Sequence, residues 1–378
     1  MDRGRTGGLL LALVFFLLPG LTEALTLPDL SSADQKEEKK DAADKKNSAI
    51  LVLPTISYTP ETHWAFGVAA LSYFRVSKDK SVDRPSNFSA EANYTEKKQF
   101  SLQLEPDLYF RGGYHLKGLF RYSDFPDRFY GIGNATTADL REDYTSRYRR
   151  INFEALKNVY RALNLGFQYY YENTAIIKTL EGGALASGTV PGSSGGRVSG
   201  LGFLMTWDSR DSIFFPTKGG FHQVAETVFS RTLGSDFAFS RFYLDLRKYY
   251  SLATAHSLGL QARALLETGN PPFWRMGLLG GNDIMRGYYA GRFRDRNLVC
   301  WQVEYRWVPV VWKLGVVGFL GFGDVADRVR NFKLEDFKYS CGFGLRYIFN
   351  REQKFNIRLD VGFGKGTSGV YITGGEAF

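Results

Sequence analysis

Strict alternation of apolar and polar residues constrains this chain more than any other feature. In the segment "FNIRLDVGF", every second position is apolar: Phe355, Ile357, Leu359, Val361 and Phe363. The positions between them are Asn356, Arg358, Asp360 and Gly362. Because successive side chains of a β-strand point to opposite faces, this segment is predicted to be a strand with one apolar face and one charged face.

Sixteen segments with this character follow one another from residue 49 onward. They are 49–57, 63–77, 86–95, 98–109, 112–123, 142–155, 158–175, 197–208, 217–231, 236–249, 254–268, 297–307, 313–323, 337–349, 354–364 and 369–377. The long connections 124–141, 176–196, 269–296 and 324–336 all follow odd-numbered strands. An even strand number, with long loops on one side and short turns on the other, predicts an all-β fold: a transmembrane antiparallel β-barrel of about 16 strands.

A soluble β-sandwich is the alternative fold, since it would also bury apolar strand faces. The number of long alternating segments, an N-terminal export signal and the aromatic last residue, Phe378, favour the membrane barrel. One apolar run, 307–323, has nearly the length of a transmembrane helix. Pro309, Lys313 and its glycines instead favour two strands around a turn.

The N-terminal residues have the composition of a secretory signal peptide. Arg3 and Arg5 precede an apolar run that Pro19 and Gly20 interrupt before Ala24, which predicts a signal peptide over 1–24. A membrane anchor is the alternative, although the run is short for a bilayer span. The segment 25–48 is charged and is predicted to be disordered and periplasmic. The barrel is then expected over 49–378, in the outer membrane of a Gram-negative bacterium.

Composition argues against several classes of function. The net charge of +9 comes from lysines and arginines scattered through the alternating segments, so nucleic acid is not an expected partner. Two cysteines, Cys300 and Cys341, are too few for a disulfide framework, and their positions put them on opposite faces of different strands. The four histidines show no metal spacing. We expect no metal, no cofactor and no catalytic residue, and a barrel hydrolase is disfavoured.

The glycine-rich stretch "GGNDIMRGYYAG", 280–291, lies in the loop after the eleventh predicted strand. Together with "WDSRDSIFFPTKGGF", "QVEYRW" and the ending "YITGGEAF", it resembles the BamA/TamA-type outer-membrane assembly superfamily, the bacterial surface antigen barrels. The resemblance is clear over 197–378 and weaker before, where "RFYGIGN" is the best match. In that family the loop folds into the barrel lumen, and the positions that carry its motif here are Arg286, Gly287 and Tyr288.

The strand after this loop alternates an apolar set, which includes Trp301 and Tyr305, with a polar set that contains Glu304. The apolar set suits lipid, so Glu304 is predicted to face the lumen and to pair with Arg286, whose planar fork of donors fits a carboxylate. The family usually has an aspartate in the next strand, where this chain has Gly321. Asp324 is therefore the candidate for a second lumenal carboxylate.

Two further motifs are carried over from the resemblance. The expected periplasmic-turn motif consists of Asp208, Arg210, Asp211, Pro216 and Gly219. The last predicted strand is expected to act as the assembly signal, with Gly374 and Phe378 on its lipid-facing side and Phe378 as an interface aromatic.

The resemblance implies insertion or translocation of protein, or of lipid, at the outer membrane, through a loop-plugged lumen and a weakly paired seam between first and last strands. A passive or substrate-selective pore is the alternative. Assembly factors of the family also carry periplasmic POTRA domains, for which 25–48 is too short. The expected partners are outer-membrane lipid including lipopolysaccharide, the barrel assembly machinery during biogenesis, and client proteins or a separate periplasmic module.

Overall fold

The structure, a computed structural model, describes residues 48–76, 85–350 and 355–378. The predicted signal peptide and all but the last residue of the predicted disordered segment lie outside these residues. Within them, Ser48 to Phe378 form one compact unit. Sixteen strands close into a single antiparallel barrel, as the alternation predicted, and two short strands form a separate hairpin. No helix in this described part of the chain is long and apolar enough to cross a membrane.

The strands are numbered in chain order. The first eight barrel strands are β1 (Ser48–Thr59), β2 (His63–Phe74), β3 (Ser86–Thr95), β4 (Phe100–Tyr109), β5 (Tyr114–Phe129), β6 (Glu142–Tyr160), β7 (Leu163–Lys178) and β8 (Gly196–Asp208). The other eight are β9 (Gly219–Phe229), β10 (Phe239–Ala253), β11 (His256–Gly269), β14 (Asn297–Val311), β15 (Leu314–Ala326), β16 (Lys338–Asn350), β17 (Phe355–Gly364) and β18 (Thr367–Gly374). The hairpin pairs β12 (Gly277–Leu279) with β13 (Phe293–Asp295). It lies in the loop between β11 and β14, which are neighbours in the barrel wall.

Burial follows the alternation clearly along β14, β15 and β17. On β14, Trp301, Tyr305 and Trp307 are exposed on the outer surface, while Gln302 and Glu304 between them are buried. Exposed aromatic and aliphatic side chains on the outside, with buried polar groups inside, are the arrangement expected of a barrel surrounded by lipid. The two cysteines are free, and as predicted Cys300 faces inward and Cys341 outward.

The fifth strand is longer than predicted. Its sequence "SDFPDR" has the composition of a loop, but β5 continues through it to Phe129. Beyond Asp124, β5 is paired with β6 and has no register partner on β4. Pro126 lies in this part of the strand, where the missing backbone N–H of proline is tolerated because one edge is free.

The barrel is closed by a seam between β1 and β18. β1 is paired with β2 along its whole length, from Ser48 to Thr59. Its register with β18 consists of one pair, Tyr58 with Ile372. The weakly paired seam expected from the resemblance is therefore a feature of this chain. It leaves most of β1 with an unpaired edge, whose Ile50 side chain is 76% exposed.

Candidate functional site

The loop between β11 and β14 packs against the inner wall of the barrel. Ile284, Met285 and Tyr288 from the loop form a buried cluster with Leu298 and Val325 of the wall. The backbone N–H of Met285 donates to the Oε1 atom of Gln302 at 3.0 Å. A Cβ atom at Gly321 would lie 3.0 Å from the Met285 sulfur. The glycine that stands where the family has an aspartate thus makes room for the loop, which lies against the lumenal face of the wall.

Gly287 is required by the close approach of the loop to the wall. Its φ of +109° lies in a region that side-chain-bearing residues rarely adopt. A Cβ atom here would also be 2.7 Å from backbone atoms of Phe363 on β17. The glycine after Arg286 therefore allows the loop backbone to lie directly on the strand, which places the arginine side chain deep in the lumen.

Arg286 is held by two carboxylates. Its Nη2 atom lies 2.5 Å from Oε2 of Glu304, as predicted, and its Nη1 atom donates to Asp360. The guanidinium also lies over the ring of Phe319, with the Cζ atom 3.5 Å from the ring centre. The two ion pairs and the cation–π contact satisfy a charge that is almost completely removed from water.

This pair belongs to a larger buried network. Arg306 donates to Glu304 at 2.8 Å, Arg346 to Asp360 at 2.5 Å, and Arg346 also to Glu376 at 2.8 Å. A buried ion is stable only when opposite charges and hydrogen bonds replace its lost hydration. The network supplies both, so the loop is attached to β14, β16 and β17 together.

The prediction that Asp324 joins Glu304 at Arg286 is wrong. Asp324 is buried, but it accepts hydrogen bonds from Lys338 at 3.2 Å and from Asn134 at 3.1 Å. The carboxylate that joins Glu304 at Arg286 is Asp360 on β17. The sequence placed Asp360 on a charged strand face, but it contained no signal that this face lies opposite the loop.

The motif "RFYGIGN" contacts the lumenal loop and the wall. The backbone N–H of Gly133 donates to the carbonyl of Arg294 at 2.7 Å, and Asn134 reaches Asp324. The loop after β5 therefore packs against the loop after β11. This gives a structural reason for a motif whose role the sequence left open.

Residues next to Arg286 contact both sides of the seam. The hydroxyl oxygen of Tyr371, on β18, accepts a hydrogen bond from the Gly287 N–H at 2.9 Å. Glu61, in the turn between β1 and β2, accepts one from the Ala290 N–H at 2.7 Å. Tyr288 packs against the wall as predicted, and its hydroxyl accepts from the Lys365 N–H at 2.8 Å. The loop thus joins β18 to the turn that follows β1.

The predicted turn motif lies between β8 and β9. Arg210 makes two hydrogen bonds of 2.9 Å to Asp208, and Asp211 accepts from the Thr217 N–H at 2.8 Å. Gly219 has φ +92°, and a Cβ atom there would overlap the Ser209 carbonyl. These contacts give the turn a defined shape.

The same turn reaches the Arg286 network. The carbonyl of Pro216 accepts a hydrogen bond from Arg306 at 3.1 Å. Phe215 is buried with Val308, Val317 and Phe319 inside the barrel. The turn motif and the lumenal loop motif, distant in sequence, therefore share Phe319 as a neighbour and are linked through Arg306 and Glu304.

The C-terminal residues differ from the prediction. Strand β18 ends at Gly374, and Gly375, with φ +75°, turns the chain into the barrel. Phe378 is 4% exposed and packs in a cluster with Tyr249. Its backbone oxygen accepts a hydrogen bond from Arg306 at 2.9 Å. Phe378 is therefore not an interface aromatic facing lipid.

Among the described residues, no group of three or more His, Cys, Asp or Glu side chains could hold a metal ion. The concentrated charges of this site are arginine–carboxylate pairs that satisfy one another. Such an arrangement positions chain segments and is suited to holding a plug in a lumen.

Comparison with known proteins points to one group. The Omp85 superfamily domain matches residues 82–378. No curated protein sequence matches the chain. The structure is similar to that of BamA from Haemophilus ducreyi lacking POTRA domains 1–3, at 12% identity and TM-score 0.60, over 87% of this chain and 70% of that one.

Two structures of CdiB are similar as well. The one from Acinetobacter baumannii has 11% identity and TM-score 0.57, over 87% of this chain and 60% of that chain. The one from Escherichia coli has 9% identity and TM-score 0.58, over 85% and 62%. This chain thus spans less than two thirds of either CdiB chain. At these identities the likeness concerns the barrel fold.

Proposed function

The chain belongs to the Omp85 superfamily, and on this premise we propose that it inserts or translocates polypeptides at the outer membrane through the seam between β1 and β18. Membership of the superfamily implies an outer-membrane location. The observation that supports the seam as the working part is its pairing: β1 is joined to β2 by twelve register pairs and to β18 by one.

An unpaired strand edge is a template for another strand. Its free N–H and C=O groups can pair with an incoming extended segment, which gains main-chain hydrogen bonds. In a bilayer such groups have no water to bind, so a client strand that pairs with β1 would relieve a cost that both partners carry. The apolar Val52 and Ile56 side chains on this edge are more than half exposed, as suits contact with lipid or with a client's apolar face.

The lumenal loop has a complementary part in this proposal. It contacts β18 through Gly287 and the β1–β2 turn through Ala290. The loop therefore keeps the lumen occupied and holds the two seam strands near each other. The part of β1 before Tyr58 has no register partner on β18. The partners of the whole protein would be outer-membrane lipid, client proteins, a separate periplasmic module and, during its own biogenesis, the barrel assembly machinery.

A locked seam tests the proposal. Tyr58→Cys and Ile372→Cys, placed in a background with Cys300→Ala and Cys341→Ser, put two thiols on directly opposed residues, which is a geometry that disulfides accept. The protein in liposomes is mixed with a urea-denatured outer-membrane porin, and the rate of porin folding is measured. We expect the reduced protein to accelerate folding and the oxidised protein to do so far less.

The matched control is a cysteine pair at Val68 and Ala92, which are opposed on β2 and β3 away from the seam. Its oxidation should leave the rate unchanged. Equal activity of the locked and reduced seam would contradict insertion through the seam, and the absence of any acceleration would contradict insertion itself.

A pore is the second candidate. The lumenal faces of β3 to β6 carry polar side chains that are half-buried or exposed, among them Glu91, Gln103, Glu105, Arg121 and Asn152. A water-filled passage along this wall would conduct ions. In planar bilayers a passive pore should give steady channels, whereas a barrel plugged by the Arg286 loop should give small and rare openings.

A further inference from the structure

A row of hydrogen-bond donors crosses the outer surface of the barrel from the middle of β5 to the beginning of β8. Tyr122 is opposite Arg149, Arg149 is opposite Asn173, and Asn173 is opposite Arg197. We infer that this row binds the phosphate groups of a glycolipid, the lipid A part of lipopolysaccharide, in the outer leaflet. The inference depends on the outer-membrane location and not on the proposed insertion activity.

The row faces outward. Arg149, Asn173 and Arg197 are exposed, whereas the alternate residues Arg150 and Glu172 form a lumenal ion pair of 2.8 Å. Since neighbouring residues of a strand point to opposite faces, the row lies on the same face as the lipid-facing side chains.

The row also lies at the boundary of the apolar surface. The next outward residue on β6 is Ile151, followed by Phe153, and the corresponding positions on β8 include Leu201 and Phe203, all at least 42% exposed. On the other side of the row are the remaining paired parts of β5 and β6 and then the long loops after β5 and β7. Charged groups at this depth meet lipid headgroups, and the long-loop end of such a barrel is the extracellular end.

The charges of the patch are unbalanced. Arg147, also exposed, pairs with Asp124 at 2.6 Å, and Arg197 pairs with Asp236 at 3.1 Å. Arg149 lies between them and makes no ion pair with any residue that the structure describes. Three arginines against two aspartates leave one positive charge, and the Tyr122 hydroxyl and Asn173 amide add neutral donors beside it.

A lipid phosphate fits this arrangement. Guanidinium groups bind phosphate through paired N–H donors. Strands are about 4.8 Å apart, so Arg149 and Arg197, two strands apart, have backbones about 10 Å from each other. Two such groups can hold a bis-phosphorylated saccharide headgroup while its acyl chains lie on Phe153 and Leu201.

Native mass spectrometry in a non-ionic detergent tests the inference. The full chain and the double variant Arg149→Gln and Arg197→Gln are each titrated with bis-phosphorylated lipid A, with the same lipid dephosphorylated, and with phosphatidylglycerol. We expect the double variant to bind bis-phosphorylated lipid A about tenfold more weakly, the order expected for the loss of charge-assisted hydrogen bonds. Dephosphorylated lipid A should bind both proteins equally weakly.

The matched control is Arg161→Gln, an exposed arginine at the other end of the same β6–β7 hairpin. It should leave the affinity unchanged, and all variants should keep the heat-modifiable mobility of a folded barrel. Equal binding by the double variant, or an equal loss in the control, would overturn the site. Binding of phosphatidylglycerol as tight as that of lipid A would overturn the assignment to a glycolipid.

Discussion

Arg286 and Glu304 form an ion pair of 2.5 Å in which the two side chains are only 1% and 0% exposed. The arginine comes from a loop and the glutamate from the barrel wall. Because the pair is closed off from water, each charge depends on the other, and the position of the loop is tied to the integrity of the wall.

Replacement of Arg286 by alanine should destabilise the barrel strongly. It removes the cation that joins Glu304 and Asp360 to the loop, although Arg306 and Arg346 stay beside them. Breaking a buried pair costs about 3–5 kcal/mol. Unfolding in urea, followed by the loss of heat-modifiable mobility, measures the change. The control Arg197→Ala removes an exposed pair with Asp236 and should have little effect. Equal stability of Arg286→Ala and the unaltered chain would mean that the network does not hold the loop.

A cross-link can locate the loop directly. Cysteines at 286 and 304, in the background without Cys300 and Cys341, should be joined by a short bifunctional thiol reagent in native membranes. The side chains of the natural pair meet between these two backbones, so a reagent of similar length can span them. A second pair at 286 and 360 should also react, and a pair at 286 and 324 should react poorly. Failure of the first two pairs would show that the loop lies elsewhere.

Glu61 should make the attachment of the loop to the β1–β2 turn sensitive to pH. Burial raises the pKa of the Glu61 carboxyl above its ordinary value of 4.5, although the hydrogen bond from the Ala290 N–H opposes this. The folded state therefore binds the proton more tightly than the unfolded state. The stability contributed by this group is full below pH 4.5 and is lost as the pH rises through the raised pKa.

Two substitutions separate the charge of Glu61 from its hydrogen bond. Glu61→Gln keeps an acceptor for the Ala290 N–H and should be at least as stable as the unaltered chain at neutral pH, with the difference shrinking as the pH falls towards 4.5. Glu61→Ala leaves that N–H without its partner and should cost about 1–3 kcal/mol. Thermal unfolding at several pH values measures both. A pH-independent difference between Gln and Glu would contradict the role of burial.

Phe378 should contribute to stability as a buried residue. Phe378→Ala opens a cavity beside Tyr249 and should cost about 3–5 kcal/mol, as buried phenylalanines do. Phe343→Ala removes a lipid-facing ring that is 60% exposed and is the matched control. Urea unfolding of both variants in the same detergent gives the comparison. A larger loss of stability in the control would contradict the burial of Phe378 and favour a lipid-facing position.

The last strand is also predicted to act as the signal for assembly into the outer membrane. Deletion of Phe378 should lower the outer-membrane yield while export to the periplasm continues. Fractionation of cells and heat-modifiability of the product measure this. A normal yield of folded barrel would contradict it.

Within the barrel strands, the local pattern was sufficient to predict which way a side chain points. Alternation along β14 correctly predicted outward Trp301 and inward Glu304, and the glycines around Arg286 predicted a loop able to bend into the lumen. These properties follow from the two-residue period of a strand and from backbone sterics, which act over a few neighbouring residues.

The partners across the lumen were decided by the closure of the barrel. Asp360 and Asp324 both lie on inward faces, and only the curvature and stagger of the wall determine that Asp360 meets Arg286 while Asp324 meets Lys338. In the same way, "YITGGEAF" alternates well enough for a strand to its end. Gly375 instead turns the chain inward because Arg306 and Arg346 offer hydrogen bonds there to Phe378 and Glu376. Those arginines come from β14 and β16, so their effect exists only once the strands have been assembled.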